Sequence, residues 1–129
     1  NYKNLYKKNY LNNEIIKYAK KNKIKCLFVC RSFQHLCSLK QLKIKKVNNH
    51  VKENHLIVNQ EKERLNVNSF HKYGIMLNKN LRFQELFLSS DGNIELMLDD
   101  IFLGMMFHPE RKNLDQKKID KLIKNHFNI

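Results

Sequence analysis

An α/β fold is the class that three features of this chain predict. A short apolar run, Ile24 to Val29, lies between two segments of helical periodicity. Further strand-like runs follow, two of them flanking the tight-turn signal Asp91-Gly92. The chain then finishes in a segment whose apolar residues again fall at helical spacing.

Leu11, Ile15, Tyr18 and Ala19 recur at helical spacing among Lys and Asn, which predicts an amphipathic helix over residues 11–22 with those four as its apolar stripe. Ile24–Val29 is expected to be a short buried strand. Arg31–Leu39 then reads as a helix with Phe33, Leu36 and Cys37 on one face, which puts Cys30 at a sharp strand–helix junction. Residues 40–54 are basic and irregular and are expected to form a surface loop. His55–Asn59 and Leu65–Phe70 read as strands, as do Arg82–Ser89 and Asn93–Leu98 on either side of the Asp91-Gly92 turn. Asp99-Asp100 makes the next turn, into Ile101–Phe107. Asn113 with Gln116 three residues later reads as a capping box, and Ile119, Leu122, Ile123 and Phe127 mark the terminal helix.

A length of 129 residues bounds the chain to a single domain, 1–129. The hydrophobic fraction of 42%, with eight Phe and five Tyr, excludes a disordered polar chain. No apolar stretch approaches the roughly 20 residues of a membrane helix, so no membrane partner is expected. No signal peptide is visible, and because the chain begins with Asn rather than Met, an upstream part is expected to be absent. The net charge of +13 raises a nucleic-acid reading, but only Arg31, Arg64, Arg82 and Arg111 are arginines; the rest is Lys interleaved with Asn. Arg is the usual reader of phosphates and bases, so the surplus is read as compositional bias and a nucleic-acid module as a lesser alternative. Three cysteines without a repeated spacing argue for a reducing, cytoplasmic setting.

The densest chemical signal is Gly104 to Arg111. Side chains alternate along an extended segment, so His108 and Glu110 face the same way, and Pro109 biases His108 toward extended backbone. An imidazole beside a carboxylate is the base and orienter of a nucleophilic triad. Cys30 is the candidate nucleophile. A strand–Cys–helix turn exposes the sulfur, the helix N-terminus favours the thiolate and lowers its pKa, and the Arg31 amide faces a developing oxyanion. The alternative for Cys30 is a buried core thiol, which Cys26 and Cys37 fit better. A Cys26/Cys30/His35 metal cluster lacks a known ligand spacing, and no metal is expected.

Phe28-Val29-Cys30-Arg31-Ser32-Phe33-Gln34 resembles the G-[IV]-C-R-G-x-Q elbow of class I glutamine amidotransferases, and within them the gamma-glutamyl hydrolase branch. Gly104 to Glu110 is similar to G-x-Q-F-H-P-E, and Val67 to Gly74 to V-N-S-x-H-x-x-G. The Cys-Arg, Asn-Ser-x-His and His-Pro-Glu-Arg forms also resemble a subgroup of surface-polysaccharide (capsule) gene clusters, one activity of which is hydrolysis of a gamma-glutamyl-CDP-amidate. The resemblance implies a flavodoxin-like three-layer sandwich and cysteine-dependent hydrolysis of a gamma-glutamyl amide through a thioester, with no cofactor. It implies Cys30 as nucleophile, His108 as general base and Glu110 as its orienter. It further implies Arg31 as an oxyanion donor through its amide, and Gln34 and His71 at the glutamyl pocket. His71 reads equally as a strand-end structural histidine. The implied partners are a small gamma-glutamyl substrate and a partner synthetase or a second copy of the chain.

Several positions depart from the family pattern. Phe28 stands where a small residue is usual, so it either faces a hollow in the core or disturbs the turn. Ser32 replaces a Gly and Met106 a Gln. The first strands and the Gly-rich loop that carries the second oxyanion donor are expected to lie outside this chain. A non-catalytic amidotransferase-like binding domain, or a degenerate fragment, is therefore the principal alternative.

Overall fold

The computed structural model describes residues 2–129, and side chains from residue 7 onward. The chain runs α1 (Tyr2–Asn22), β1 (Cys26–Val29), α2 (Arg31–Leu39), β2 (Ile44–Lys46), β3 (Val51–Val58), β4 (Arg64–Phe70), β5 (Tyr73–Ile75), β6 (Glu85–Leu88), β7 (Ile94–Leu98), β8 (Phe102–Met105) and α3 (Gln116–Phe127). Six strands make one sheet in the order β1-β8-β7-β6-β3-β4, and β2 pairs with β5 in a small second sheet. β1 and β8 are parallel; the other neighbours are antiparallel.

Period-two alternation sorts the strand residues into two cores, and the result is three layers. On one face Phe28, Ile94, Met97 and Phe102 pack with Ile16 and Ala19 of α1 and Phe33, Leu36 and Cys37 of α2. On the other face Ile57, Val67, Leu96, Leu103 and Met105 pack with Ile119 of α3. Gly104 sits opposite Phe28 in the β1/β8 register. A Cβ built on Gly104 would come 2.1 Å from the Phe33 ring, so the missing side chain is what lets α2 lie on the sheet.

The structure decides the Phe28 alternatives. The ring is buried in the α2-side core and packs edge-on against Phe102 at 5.4 Å between centroids, so it fills core space beneath the turn.

Other expectations are corrected. The first helix is longer than residues 11–22 and is turned: Ile16 and Ala19 face the core, while Leu11, Ile15 and Tyr18 are exposed. In this orientation Asn13 of α1 also hydrogen-bonds His35 of α2 at 2.7 Å. Residues 40–54, expected as a loop, hold β2 and the start of β3. The terminal helix starts after Asp115, not at an Asn113 cap. The Asn113 amide oxygen instead accepts from the Asn68 backbone N–H at 2.8 Å, and the Asp115 carboxylate from that of Asn66 at 2.6 Å. Both side chains thus tie the α3 approach to β4 rather than capping the helix. Among the described residues no helix is long and apolar enough to cross a membrane.

Candidate active site

β1 ends at Val29, and α2 begins at Arg31, so Cys30 alone makes the turn. Its backbone has φ 50° and ψ −105°. A residue with a Cβ is strained there, at a cost of order 1–3 kcal/mol that the surroundings must hold in place. Two bonds do so: the Cys30 N–H donates to the Met105 carbonyl at 2.7 Å, and the Gln34 N–H to the Cys30 carbonyl at 2.9 Å. The first extends the β1/β8 pairing one residue past Val29, and the second starts α2. This is the form of a nucleophile elbow.

The thiol does not behave as the helix-terminus argument expects. Burial pushes its pKa up, and the net shift is upward; the Arg31 amide opposes it, the Glu95 charge adds to it, and the charges of Arg111 and Glu110 oppose and add in turn. The desolvation of a half-buried sulfur outweighs one turn of helix.

The parallel pairing puts the carboxyl ends of β1 and β8 side by side, with His108 beyond the end of β8. His108 Nδ1 lies 2.7 Å from the Glu110 carboxylate, as alternation across Pro109 predicts. Burial works to raise the Glu110 pKa, but its own amide, the His108 imidazole and Arg111 hold the carboxyl below the usual range. Among the described residues no hydrogen bond joins the Cys30 thiol to His108.

The backbone of His108 is clamped by a residue absent from the sequence-level site. The Asn68 side chain is buried; its oxygen accepts from the His108 N–H and its amide donates to the His108 carbonyl, each at 2.8 Å. Asn113 donates to the same carbonyl at 3.1 Å. Phe70 meets the His108 ring edge-on at 6.1 Å, and Arg111 lies over Phe70 at 4.6 Å. Asn68 falls in the Val67–Gly74 segment, so an Asn at a strand centre, where polar side chains need a partner, was the available signal.

Arg31 and Gln34 line a cleft of about 250 Å³ with His35, Ile44 and Tyr73. Gln34 donates to the Tyr73 carbonyl at 3.1 Å. His71 is buried with both ring nitrogens engaged: Nδ1 lies 2.8 Å from the Tyr73 carbonyl, and Nε2 lies 3.2 Å from Glu95. It joins His50, His55 and Glu95 in one cluster. Glu95 has 0% exposure. Burial would raise its pKa, yet the three imidazoles hold it well below the carboxylate range. His50 is pushed up to about 9, chiefly by its bond to Glu95, against its burial and with help from Asp91. Cys26, Cys30 and His35 form no such cluster among the described residues.

No family model matches the chain. No curated protein matches it by sequence. Solved structures do. A protein of Thermoplasma acidophilum, described as a GMP synthase subunit, superposes with a TM-score of 0.68 at 13% identity, over 89% of this chain and 63% of its own. A glutamine amidotransferase of Thermotoga maritima superposes with a TM-score of 0.63 at 19% identity, over 96% of this chain and 54% of its own. The chain therefore has the flavodoxin-type three-layer fold of glutamine amidotransferases, and it spans a little over half to just under two thirds of the length of these neighbours.

Proposed function

We propose that this chain carries the nucleophile and base of an amide-cleaving cysteine site of the glutamine amidotransferase type. The observation that carries the reading is the strained Cys30 backbone at the β1/α2 junction, φ 50° and ψ −105°. A core thiol has no use for such a conformation, whereas an elbow nucleophile does. The oriented His108–Glu110 pair beyond the neighbouring strand end supports it.

In this reading the Cys30 sulfur attacks the gamma-carbonyl of a glutamyl amide and its proton passes to His108. The C–N bond breaks, the leaving amine takes that proton, and a thioester remains. Water then gives a proton to His108 and adds to the thioester carbon, releasing glutamate and the free thiol. Glu110 keeps the imidazole oriented, the Arg31 amide faces the oxyanion, and Gln34 lines the cleft for the glutamyl part. Within the class we favour gamma-glutamyl hydrolysis, with the capsule-cluster type as the finer assignment. A partner synthetase is compatible with the name of the Thermoplasma neighbour, which is that of one component of a synthase.

The upward shift of the thiol favours the competing reading, a non-catalytic amidotransferase-like binding domain. The two separate in one experiment. A gamma-glutamyl anilide is offered to the chain and to Cys30→Ala, and an electrophilic glutamine analogue is followed by peptide mass spectrometry. Glutamate release lost in the variant, with a single adduct on Cys30, supports the hydrolase. No release and no adduct supports the binding domain.

A further inference from the structure

We propose that His50, His55, His71 and Glu95 form a binding site for one divalent cation of the zinc class, tying the start of β3, the β4–β5 turn and β7 together. It is independent of the activity proposed above, and it revises the expectation that the chain has no metal ligands.

The geometry comes first. His50 Nδ1, His71 Nε2 and Glu95 Oε1 stand 3.2 Å from one another on all three edges. His55 Nε2 stands 3.6 Å from Glu95 Oε1, and all four atoms lie within 4.8 Å of one another. A tetrahedral zinc ion with bonds of about 2.0–2.1 Å requires ligand–ligand edges of about 3.3–3.4 Å. The triangle is thus already the size of one tetrahedral face, with the ion roughly 0.9 Å out of its plane. His55 needs to close by at most about 1.5 Å to complete the fourth corner.

Hydrogen bonding on the far side of the rings gives the second argument. His71 Nδ1 faces the Tyr73 carbonyl at 2.8 Å, an oxygen that only accepts, so that nitrogen carries the hydrogen. His50 Nε2 faces the Asp91 carboxylate at 2.7 Å and carries its hydrogen there. When both rings are neutral, each therefore turns a lone pair inward, toward the other ring and toward a carboxylate oxygen. Three such atoms at 3.2 Å in a buried site need a positive centre between them, either a proton on one ring or a shared cation. Ring N–H groups held by a carbonyl and a carboxylate are also the usual outer partners of metal-bound histidines.

Unsatisfied atoms give the third. His55 Nε2 and Glu95 Oε2 are buried without a hydrogen-bond partner. Glu95 is the extra residue of a β-bulge: Phe87 pairs with Leu96 and Leu88 with Ile94, skipping it. Bulges re-aim a side chain, and here the carboxylate leaves the apolar alternation of β7 to meet the imidazoles. A nitrogen- and oxygen-rich donor set suits zinc-like ions rather than calcium or magnesium. The His55 side chain keeps 18% exposure, which leaves a way in.

The test is metal titration of the whole folded chain after chelator treatment, at neutral pH. Cobalt(II) is added alone, then displaced by zinc. The expected result is one equivalent of cobalt with the intense visible bands of tetrahedral coordination, displacement by zinc, and a higher Tm with zinc. His55→Ala, which removes a ring not needed for other hydrogen bonds, is expected to weaken zinc binding about 100-fold, and Asp91→Asn, through the outer bond to His50, about 10–100-fold. The proposal is overturned if the folded chain takes up no cobalt, in which case a proton separates the lone pairs. It is equally overturned if His55→Ala binds as tightly as the parent, which would place the ion elsewhere.

Discussion

Gly104→Ala tests how the elbow is supported. The added Cβ would lie 2.1, 2.3 and 2.9 Å from three atoms of the Phe33 ring. Ordinary carbon contacts begin near 3.5 Å, so the ring must retreat by about 1–1.5 Å. Phe33 has 0% exposure and sits in the first turn of α2, three residues after Cys30. Overpacking a filled core costs about 1–3 kcal/mol, and three ring contacts put this case near the top of that range. Removing a strand glycine returns about 0.5–1 kcal/mol. The net expectation is a loss of about 2 kcal/mol, or roughly 6–12 °C in Tm for a chain of this size. Urea denaturation followed by circular dichroism measures it, together with Phe33→Leu and the double variant. If the clash is the cause, the double variant is more stable than the sum of the singles by about 1 kcal/mol or more. A neutral Gly104→Ala, or strict additivity, would refute the packing argument.

Two further perturbations address the site. Asn68→Ala leaves the His108 N–H without its acceptor, while the His108 carbonyl keeps the Asn113 amide and the Arg111 N–H; one buried group left without a partner costs about 1–3 kcal/mol, so urea denaturation is expected to show a loss of about 1–3 kcal/mol. Cys30 alkylation is expected to rise about tenfold per pH unit from pH 7 to 9 without a plateau, because only the thiolate reacts and burial holds the thiol above its ordinary value of 9.0. Cys37, fully buried and pushed up to about 12, stays unlabelled until the chain is unfolded. A plateau for Cys30 below pH 8, read from timed mass spectra, would show that the elbow amide outweighs burial.

Elements whose residues alternate or repeat on one face were legible from the residues alone: α2 with Phe33, Leu36 and Cys37 inward, β8 as an apolar run, and the hairpin turn at Gly92, whose φ of 83° needs a glycine. The His108–Glu110 contact was legible for the same reason, since period two and Pro109 suffice to build it. What escaped depends on contacts distant in sequence. β2 and β5 have three residues each, too few to show a period, and exist because they pair with each other. The buried face of α1 is set by where α2 lies, not by the spacing of Leu11, Ile15 and Tyr18. The histidine cluster draws on β3 and the residue before it, the β4–β5 turn and β7, at spacings that match no short motif. One local sign did exist: a glutamate inside Ile94-Glu95-Leu96-Met97-Leu98, where burial of a charge demands partners.

The strain at Cys30 separates function from packing most directly. Glycine adopts φ 50° freely; alanine, like cysteine, does not. If the turn is strained, Cys30→Gly should be more stable than Cys30→Ala by about 1 kcal/mol, even though glycine gives up some unfolded-state entropy in the comparison. Both variants lack the sulfur, so both should lose any acyl transfer. The parent would then carry a measurable destabilisation that only its thiol can justify, as expected where activity and stability are traded. The comparison is made by equilibrium urea unfolding of the three chains. If Cys30→Gly is no more stable than Cys30→Ala, the backbone is relaxed at this position. The thiol then loses its claim to be an elbow nucleophile, and the fold would carry the amidotransferase form without its chemistry.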